Sequence, residues 1–132
     1  MIDLVSDTRC PCGTGLPTAE CCGPLHRGER TAGTAEQLMR SRFSAFAVGD
    51  AAYLRRSWHP STRPADLVLD GDVHWYRLDV LATSGGGAFD TTGTVEFEAF
   101  WRGPDGRGSM REVSRFRRGP DGWQYVDGDV TR

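Results

Sequence analysis

The sequence predicts a small α+β domain in which helices pack on a curved antiparallel sheet, preceded by a short cysteine-rich segment. Residues 9–33 are rich in Cys, Gly and Pro and have no helical or strand period. Helix signals begin at Thr34, and apolar and polar residues alternate between glycine-containing turns from residue 73 onward. Helices followed by a meander are typical of α+β domains. We therefore divide the chain into a segment 1–33 and a domain 34–132.

Two helices are predicted after the cysteine-rich segment. Thr34 and Gln37 fit a capping box, in which each side chain satisfies a backbone donor of the first turn. An apolar stripe follows at three- and four-residue spacing: Met39, Phe43, Phe46 and Ala47. Gly49 ends this helix and Asp50 caps the next. The second helix is predicted to carry Tyr53, Leu54 and Trp58.

Four strands are predicted, over residues 73–83, 94–102, 109–118 and 123–126. Short turns containing glycine join them, as in an antiparallel meander. In the first strand, one face is predicted to carry Val73, Trp75 and Leu81, and the other Tyr76, Leu78, Val80 and Ala82. The second strand alternates an apolar face with Glu96 and Glu98, which are expected in solvent. The apolar face comprises Val95, Phe97, Ala99 and Trp101.

Composition excludes several classes of function. The formal net charge is −2, whereas a general nucleic-acid binder is normally strongly basic. The chain contains no lysine, which excludes Schiff-base lysine chemistry and a phosphate-loop lysine. Residues 1–5 lack the basic start and long apolar run of a secretory signal, and no stretch approaches the roughly 20 apolar residues of a membrane helix. We expect a cytoplasmic protein without a membrane or nucleic-acid partner.

The cysteines are spaced as metal ligands. Cys10-x-Cys12 is followed, after eight residues, by Cys21-Cys22. Four thiolates suit the tetrahedral preference of Zn²⁺, and Gly13 and Gly15 permit the tight turns around such a site. Free thiols and a pair of disulfides are the alternatives. A chain of this length can bury enough surface to fold without crosslinks, and clustered cysteines in a reducing cytosol more often bind metal. The sequence therefore predicts a bound Zn²⁺.

Several segments resemble known bacterial families. Cys10–Gly15 with Cys21–Gly23 resembles the SEC-C motif, a zinc binder found at the C-terminus of the SecA translocase ATPase. The match to the YchJ family extends over nearly the whole chain and rests on Cys21–His26, Leu38–Arg42, Trp58–Pro64, Ser114–Phe116 and Tyr125–Gly128. The resemblance implies a nuclear-transport-factor-2-like, or cystatin-like, cone of curved sheet around helices. The biochemical role that it implies is unassigned.

The identity of the fourth metal ligand is open between Cys22 and His26. Adjacent side chains such as Cys21 and Cys22 point in different directions unless the backbone turns between them, and His26 could replace Cys22 from a helical turn. The resemblance favours Cys22. Four sulfur ligands would close the site and leave no position for an activated water, so the zinc is expected to be structural.

Cone-shaped sheets of this kind commonly hold a cavity, and the sequence offers candidates for its polar groups. His59 is either an acid, base or gate in a pocket bordered by Trp58, or a partner of helix C-terminal carbonyls with Trp58 in the core. Glu112 and Ser114 share a strand face with apolar residues, and a buried carboxylate should pair with an arginine. The candidate arginines are Arg40, Arg42 and Arg77. Such a pair would either bind a polar ligand or fix a helix on the sheet.

One position departs from the family pattern. Arg111 precedes Glu112 where many relatives carry a histidine, so a mechanism that uses that histidine as a base is in doubt for this chain. Arg111 also belongs to a basic stripe on the third strand, for which a solvated edge is favoured over an acidic or RNA partner. The remaining members of the stripe are Arg115, Arg117 and Arg118.

Two functions follow from these features. The first is a zinc-binding adaptor, whose knuckle contacts another protein. The second is a small-molecule binding protein or enzyme that uses the cone cavity, with His59, Glu112 and Ser114 as its polar groups. Because no complete set of nucleophile, base and orienting group is visible, the enzyme is the weaker alternative.

Overall fold

A computed structural model describes residues 9–131, which form helices first and an antiparallel meander afterwards. The predictions for residues 1–5 therefore lie outside the described part of the chain. The helices are a 3₁₀ turn at Thr18–Glu20, α1 at Gly23–His26, α2 at Ala35–Val48 and α3 at Ala51–Arg56. The strands are β1 His74–Gly85, β2 Thr92–Gly103, β3 Gly106–Gly119 and β4 Gly122–Thr131, hydrogen-bonded in the order β1-β2-β3-β4. The predicted α+β class is confirmed.

The caps of α2 and α3 form largely as predicted. The Thr34 hydroxyl accepts from the Gln37 amide at 3.1 Å, while the Gln37 side chain accepts from the Gly33 amide at 2.7 Å rather than from Thr34. Gly49 ends α2 in the left-handed conformation, with φ of 78°. The Asp50 carboxylate accepts from the Tyr53 amide at 3.0 Å and begins α3. These local contacts set the short turn between the two helices.

Trp58 lies outside α3, contrary to the prediction that the helix carries it. The helix ends at Arg56, and the backbone beyond it pairs with β4. The Tyr125 amide donates to the Ser57 carbonyl at 2.9 Å, and the His59 amide donates to the Tyr125 carbonyl at 2.7 Å. This pairing with a distant strand stops the helix early and holds Trp58 beside Tyr125, with ring centroids 5.0 Å apart.

The predicted faces of β1 are wrong, because the strand is irregular at two places. Register shifts between Trp75 and Arg77 and between Val80 and Ala82 each move one residue out of the alternation. As a result, Trp75, Leu78 and Val80 all pack on the core. Tyr76 and Leu81 are instead exposed. The prediction for β2 is confirmed at Val95, Phe97 and Ala99, which are buried, while Trp101 is half-buried.

Helix α2 lies at the centre of the protein and is buried on more than one side. It packs on β1, β2 and β4, where Met39 and Phe43 join the main core. Its other side packs on α1 and α3, where Ala45 meets Leu25 and Leu54. From this position, one side of the helix can contact the cysteine-rich segment while another side faces the sheet. No helix within residues 9–131 has the length and apolarity to cross a membrane.

Candidate functional site

The four cysteine sulfurs converge on one point. The Sγ atoms of Cys10, Cys12, Cys21 and Cys22 all lie within 4.8 Å of one another. The Sγ atoms of Cys12 and Cys21 are 3.5 Å apart, and those of Cys21 and Cys22 are 3.9 Å apart. These separations are far longer than the roughly 2.05 Å of a disulfide bond, and all four cysteines are free. The backbone turns enough for adjacent cysteines to share the cluster, which is compatible with metal binding.

A tight loop carries the first two cysteines; we call residues 9–22 the knuckle. The Cys10 amide donates to the Leu16 carbonyl at 2.8 Å, and the Gly13 amide donates to the Cys10 carbonyl at 3.2 Å. Gly13 and Gly15 have φ of 88° and 86°, a conformation that side chains with a Cβ rarely adopt. The glycines therefore allow the turn that the sequence predicts around the cysteines.

Three polar side chains surround the sulfur cluster. The Ser44 hydroxyl, buried on α2, lies 3.3 Å from the Cys10 sulfur. The Thr14 hydroxyl lies 3.1 Å from the Cys21 sulfur. Arg40, also on α2, donates from Nη1 to the Cys12 carbonyl at 2.7 Å. Hydroxyl donors stabilise thiolate ligands, and the contacts from α2 anchor the knuckle to the domain.

The sulfurs are electrostatically coupled. Hydrogen bonds from Cys12 and Cys22 lower the pKa of the Cys10 thiol, whereas burial raises the pKa of Cys21 to about 11. Hydrogen bonds to Cys10 and Cys12 raise the pKa of Cys22. One thiolate is therefore stabilised by its neighbours remaining protonated, and four adjacent thiolates require a cation to balance their charge. A bound metal ion would supply that charge.

His26 lies outside the cluster and has other partners. Its Nε2 is 2.9 Å from the Ser41 carbonyl oxygen, and its ring centroid is 4.7 Å from that of Tyr53. Because a carbonyl only accepts, Nε2 carries the proton in this contact. The geometry thus favours Cys22 over His26 as the fourth member of the site. His26 instead joins α1 to α2 and α3.

A second candidate site is a cavity of about 240 Å³ between α2, Trp58 and the inner face of the sheet. Its walls are mainly apolar, and they include Met39, Phe43, Phe46, Trp75, Phe97, Ala99 and Met110. Its polar groups come from Arg42, Trp58, Glu112, Ser114 and Tyr125. An apolar pocket with a few convergent polar groups is the usual form of a small-molecule site. We call it the cone cavity.

Glu112 and Ser114 lie together in the cone cavity. The Ser114 hydroxyl donates to the Glu112 carboxylate, and Tyr125 lines the cavity with it. Burial, and then the charge of Glu112, raise the pKa of Tyr125 to about 12, so the phenol remains a donor at neutral pH. Gly128 of β4 makes room for the carboxylate, since a Cβ added there would lie 2.7 Å from Glu112 Cδ. No sequence pattern marks this role of Gly128, because it depends on the register of β4 on β3.

Of the three candidate arginines, only Arg42 lines the cone cavity. Arg40 instead contacts the knuckle and pairs with Glu36 at 3.0 Å. Arg77 is exposed and pairs with Asp79 at 3.0 Å. Among the described residues, none of the three forms an ion pair with Glu112, so the expected arginine partner is wrong; Arg42 only shares the cavity with it. Arg40 faces the opposite side of α2, and the irregular β1 turns Arg77 toward solvent.

His59 does not enter the cone cavity. Its Nδ1 lies 2.7 Å from the Ser61 hydroxyl, and the residue lines a separate surface groove together with Arg56, Arg63 and Trp123. The structure therefore separates His59 from Glu112 and Ser114. Its ring contacts Ser61 rather than the helix C-terminal carbonyls, which corrects both alternatives drawn from the sequence. Trp58, in contrast, does border the cavity.

Arg111, Arg115 and Arg117 of the basic stripe lie on the solvent side of the sheet, whereas Arg118 shares the face of Phe116 and its Cζ lies 5.8 Å from the Trp123 ring centroid. Arg111 pairs with Glu96 of β2 at 3.0 Å, and Arg115 pairs with Asp129 of β4 at 2.8 Å. These arginines are part of exposed cross-strand pairs, as a solvated edge requires. Arg111, the position that departs from the family pattern, is therefore not among the residues that line the cone cavity.

Comparison with known proteins identifies the family. Residues 34–128 match the family model described as the YchJ middle NTF2-like domain. The chain is 56% identical to a UPF0225 protein of Corynebacterium glutamicum, covering 92% of this chain and 97% of that one. It is also 52% identical to a UPF0225 protein of Streptomyces coelicolor, with coverage of 91% and 94%.

Two solved structures share the fold. A SEC-C motif containing protein from Rhodopseudomonas palustris matches with a TM-score of 0.81 and 32% identity, covering 95% of this chain and 100% of that one. A SEC-C motif containing protein from Psychrobacter arcticus matches with a TM-score of 0.77 and 28% identity, covering 98% and 86%. With its four-cysteine cluster and its helices on an antiparallel meander, the chain belongs to the YchJ, or UPF0225, family of SEC-C motif proteins.

Proposed function

We propose that the knuckle holds one structural Zn²⁺ through Cys10, Cys12, Cys21 and Cys22. Zinc–sulfur bonds of about 2.3 Å in a tetrahedron place the sulfurs about 3.8 Å apart. The Cys12–Cys21 and Cys21–Cys22 sulfur separations of 3.5 Å and 3.9 Å are close to that value. Four sulfurs leave no open coordination position for water or substrate, so this zinc contributes stability rather than catalysis.

The proposed zinc would fasten the knuckle to the rest of the protein. Its four ligands lie within a stretch of thirteen residues with little apolar core of its own. Such segments normally depend on a metal or crosslink to hold a shape. Ser44 and Arg40 of α2 contact the ligand cysteines, so an ordered knuckle also covers one side of that helix.

We further propose that the protein binds a small molecule in the cone cavity. The observation that carries this proposal is the presence of two charged side chains, Arg42 and Glu112, in a mainly apolar cavity. Burying such groups is costly, and a purely structural core of this size would be better filled by apolar side chains. Because His59 lies elsewhere, binding rather than catalysis is the function proposed.

Methionine methyl resonances provide a direct test of the cavity. Met39 and Met110 both line it, so ¹³C-methyl labelling of methionine reports on its occupancy. We expect a library of small aromatic fragments to contain compounds that shift both resonances. The control variant Ala99→Leu fills the cavity, and its thermal unfolding transition checks that it remains folded. Fragments that shift neither resonance, or that bind Ala99→Leu equally well, would overturn the proposal.

The adaptor role stays a prediction, as does the cytoplasmic location. The tip of the knuckle exposes Leu16, which is 47% accessible and is the apolar residue that a partner could contact there. Affinity purification with the wild type and with Leu16→Ser tests this role while leaving the four cysteines in place. Identical partners in both samples would count against the knuckle as the contact surface.

A further inference from the structure

The cone cavity contains two opposite charges that do not pair with each other. Within residues 9–131, the ion pairs of the structure leave out both Arg42 and Glu112. Each charge is instead held in place by neutral groups. This arrangement, which rests on the cavity being the binding site proposed above, defines what kind of molecule fits between them.

Arg42 is a buried cation with unused donors. It is 4% exposed, and its Nη1 donates to the Leu54 carbonyl at 2.8 Å and to the Ser57 hydroxyl at 2.7 Å. Its Cζ lies 4.6 Å from the ring centroid of Tyr125 and 5.1 Å from that of Trp58. Nε and Nη2 have no hydrogen-bond acceptor among the residues that the structure describes. Guanidinium nitrogens left in this way are suited to an acceptor atom from a ligand.

A neighbouring indole also lacks an acceptor. Trp58 lines the cavity, and its Nε1 is buried without a hydrogen-bond partner among residues 9–131. Trp123 Nε1, which lies outside the cone cavity, is buried without a partner as well, so this property does not mark a ligand contact by itself. Arg42 therefore supplies the donor side of the cavity.

Glu112 forms the acceptor side. Its carboxylate receives a hydrogen bond from Ser114 and lies against Gly128, which fixes its position. A carboxylate has about four lone-pair sites, so one donor leaves further accepting capacity. The cavity thus presents a donor side and an acceptor side within apolar walls.

We infer that the cone cavity selects an uncharged aromatic amide. The carbonyl oxygen of such a ligand would accept from Arg42, while its N–H would donate to Glu112. The flat ring would pack against the aromatic walls. Because Arg42 and Glu112 together carry no net charge, an ionised ligand would add an unbalanced charge to a buried site. A neutral head group avoids that cost.

Four probes built on one benzene ring test this inference: benzamide, benzoate, benzamidine and toluene. They share a single aromatic ring and differ in whether the head group is neutral and polar, anionic, cationic or apolar. Titrations at pH 7 are followed by the methyl resonances of Met39 and Met110. We expect benzamide to bind at least tenfold more tightly than each of the other three. Tighter binding of benzoate or benzamidine would overturn the inference.

The variant Glu112→Gln removes one charge and sharpens the test. The cavity then carries the net positive charge of Arg42. The affinity for benzoate should therefore rise at least tenfold, while the affinity for benzamidine should not rise. Arg77→Gln, which alters an exposed arginine outside the cavity, is the matched control and should change no affinity. An unchanged benzoate affinity in Glu112→Gln would contradict the assignment of Glu112 as the acceptor side.

The probes also separate failure of this inference from failure of the proposed function. If toluene shifts the methionine resonances and binds as tightly as benzamide, the cavity binds small molecules but does not select for the amide group. If none of the four probes, nor any compound of the fragment library, shifts the resonances, both the inference and the binding function are wrong.

Discussion

The knuckle and the cone cavity both gather polar groups inside the protein, and they differ in how those groups are completed. In the knuckle, four identical sulfurs converge within 4.8 Å, so a single metal ion would satisfy all of them. In the cavity, groups of different chemistry surround about 240 Å³ of space and are only partly paired. The four sulfurs would leave no ligand position open around such an ion, whereas the cavity keeps hydrogen-bond donors and an acceptor available to a ligand. Closure suits a structural role, and incomplete pairing suits an exchangeable ligand.

The two regions also draw their residues from different distances along the chain. The knuckle uses a local run from Cys10 to Cys22. The cavity combines Arg42 of α2 with Glu112 of β3 and Tyr125 of β4. Helix α2 belongs to both, since Arg40 and Ser44 contact the knuckle while Arg42 lines the cavity. The helix therefore contacts both a local cysteine cluster and a cavity assembled by the whole fold.

The largest expected effect comes from removing a proposed zinc ligand. In Cys22→Ser, we expect the bound zinc to fall from one ion per chain to almost none, together with a lower melting temperature. Structural zinc contributes on the order of 10 kcal/mol in small zinc domains, so losing a ligand weakens the whole knuckle. Inductively coupled plasma mass spectrometry with thermal denaturation measures both. Retention of stoichiometric zinc by Cys22→Ser would contradict a four-sulfur site.

A large effect is also expected from Arg42, the cation of the cavity. Arg42→Met removes two buried hydrogen bonds and two ring contacts, which should lower the free energy of unfolding by about 2–4 kcal/mol. Urea denaturation measures this change. Arg77→Met is the matched control, because its exposed pair with Asp79 should leave the midpoint unchanged. Equal effects of the two substitutions would mean that burial of Arg42 contributes nothing to stability.

A smaller effect is expected where β4 supports Glu112. In Gly128→Ala, the added methyl group meets the Glu112 carboxylate and should cost about 1–3 kcal/mol. The double variant with Glu112→Ala should recover much of that loss, because the obstructed group is gone. Strictly additive losses in urea denaturation would show that the methyl group acts elsewhere.

The smallest expected effect concerns the hydroxyl beside the metal site. In Ser44→Ala, the hydrogen bond to the Cys10 sulfur is lost, and we expect zinc to transfer to a chelator about tenfold faster. Ser41→Ala is the control, since Ser41 is buried on the same helix but bonds Tyr53 instead. Similar release rates in the two variants would remove Ser44 from the metal site.

Local chemistry explains what the sequence could predict. The Thr34 cap, the left-handed Gly49 and the cysteine spacing depend on neighbours within a few residues, and all three are present in the structure. The placement of Glu112 and Ser114 on one face also follows from simple alternation in β3. In each case, one short-range rule decides the outcome.

Long-range pairing explains what the sequence could not predict. Trp58 leaves the helix because residues 57–59 pair with Tyr125, far along the chain. The faces of β1 depend on two irregularities that no local pattern marks. To predict that Arg42 and not Arg40 lies near Glu112, one must know how α2 is oriented about its axis relative to the sheet. The support that Gly128 gives Glu112 similarly requires the β3–β4 register.

The most direct test of the metal site is native mass spectrometry of the purified protein, its Cys22→Ser variant and its His26→Ala variant. We predict one zinc ion per chain in the wild type and in His26→Ala, and none in Cys22→Ser. His26 bonds the Ser41 carbonyl instead of joining the sulfur cluster, which is why its loss should not release the metal. A metal-free His26→Ala beside a zinc-bound Cys22→Ser would contradict the four-cysteine centre.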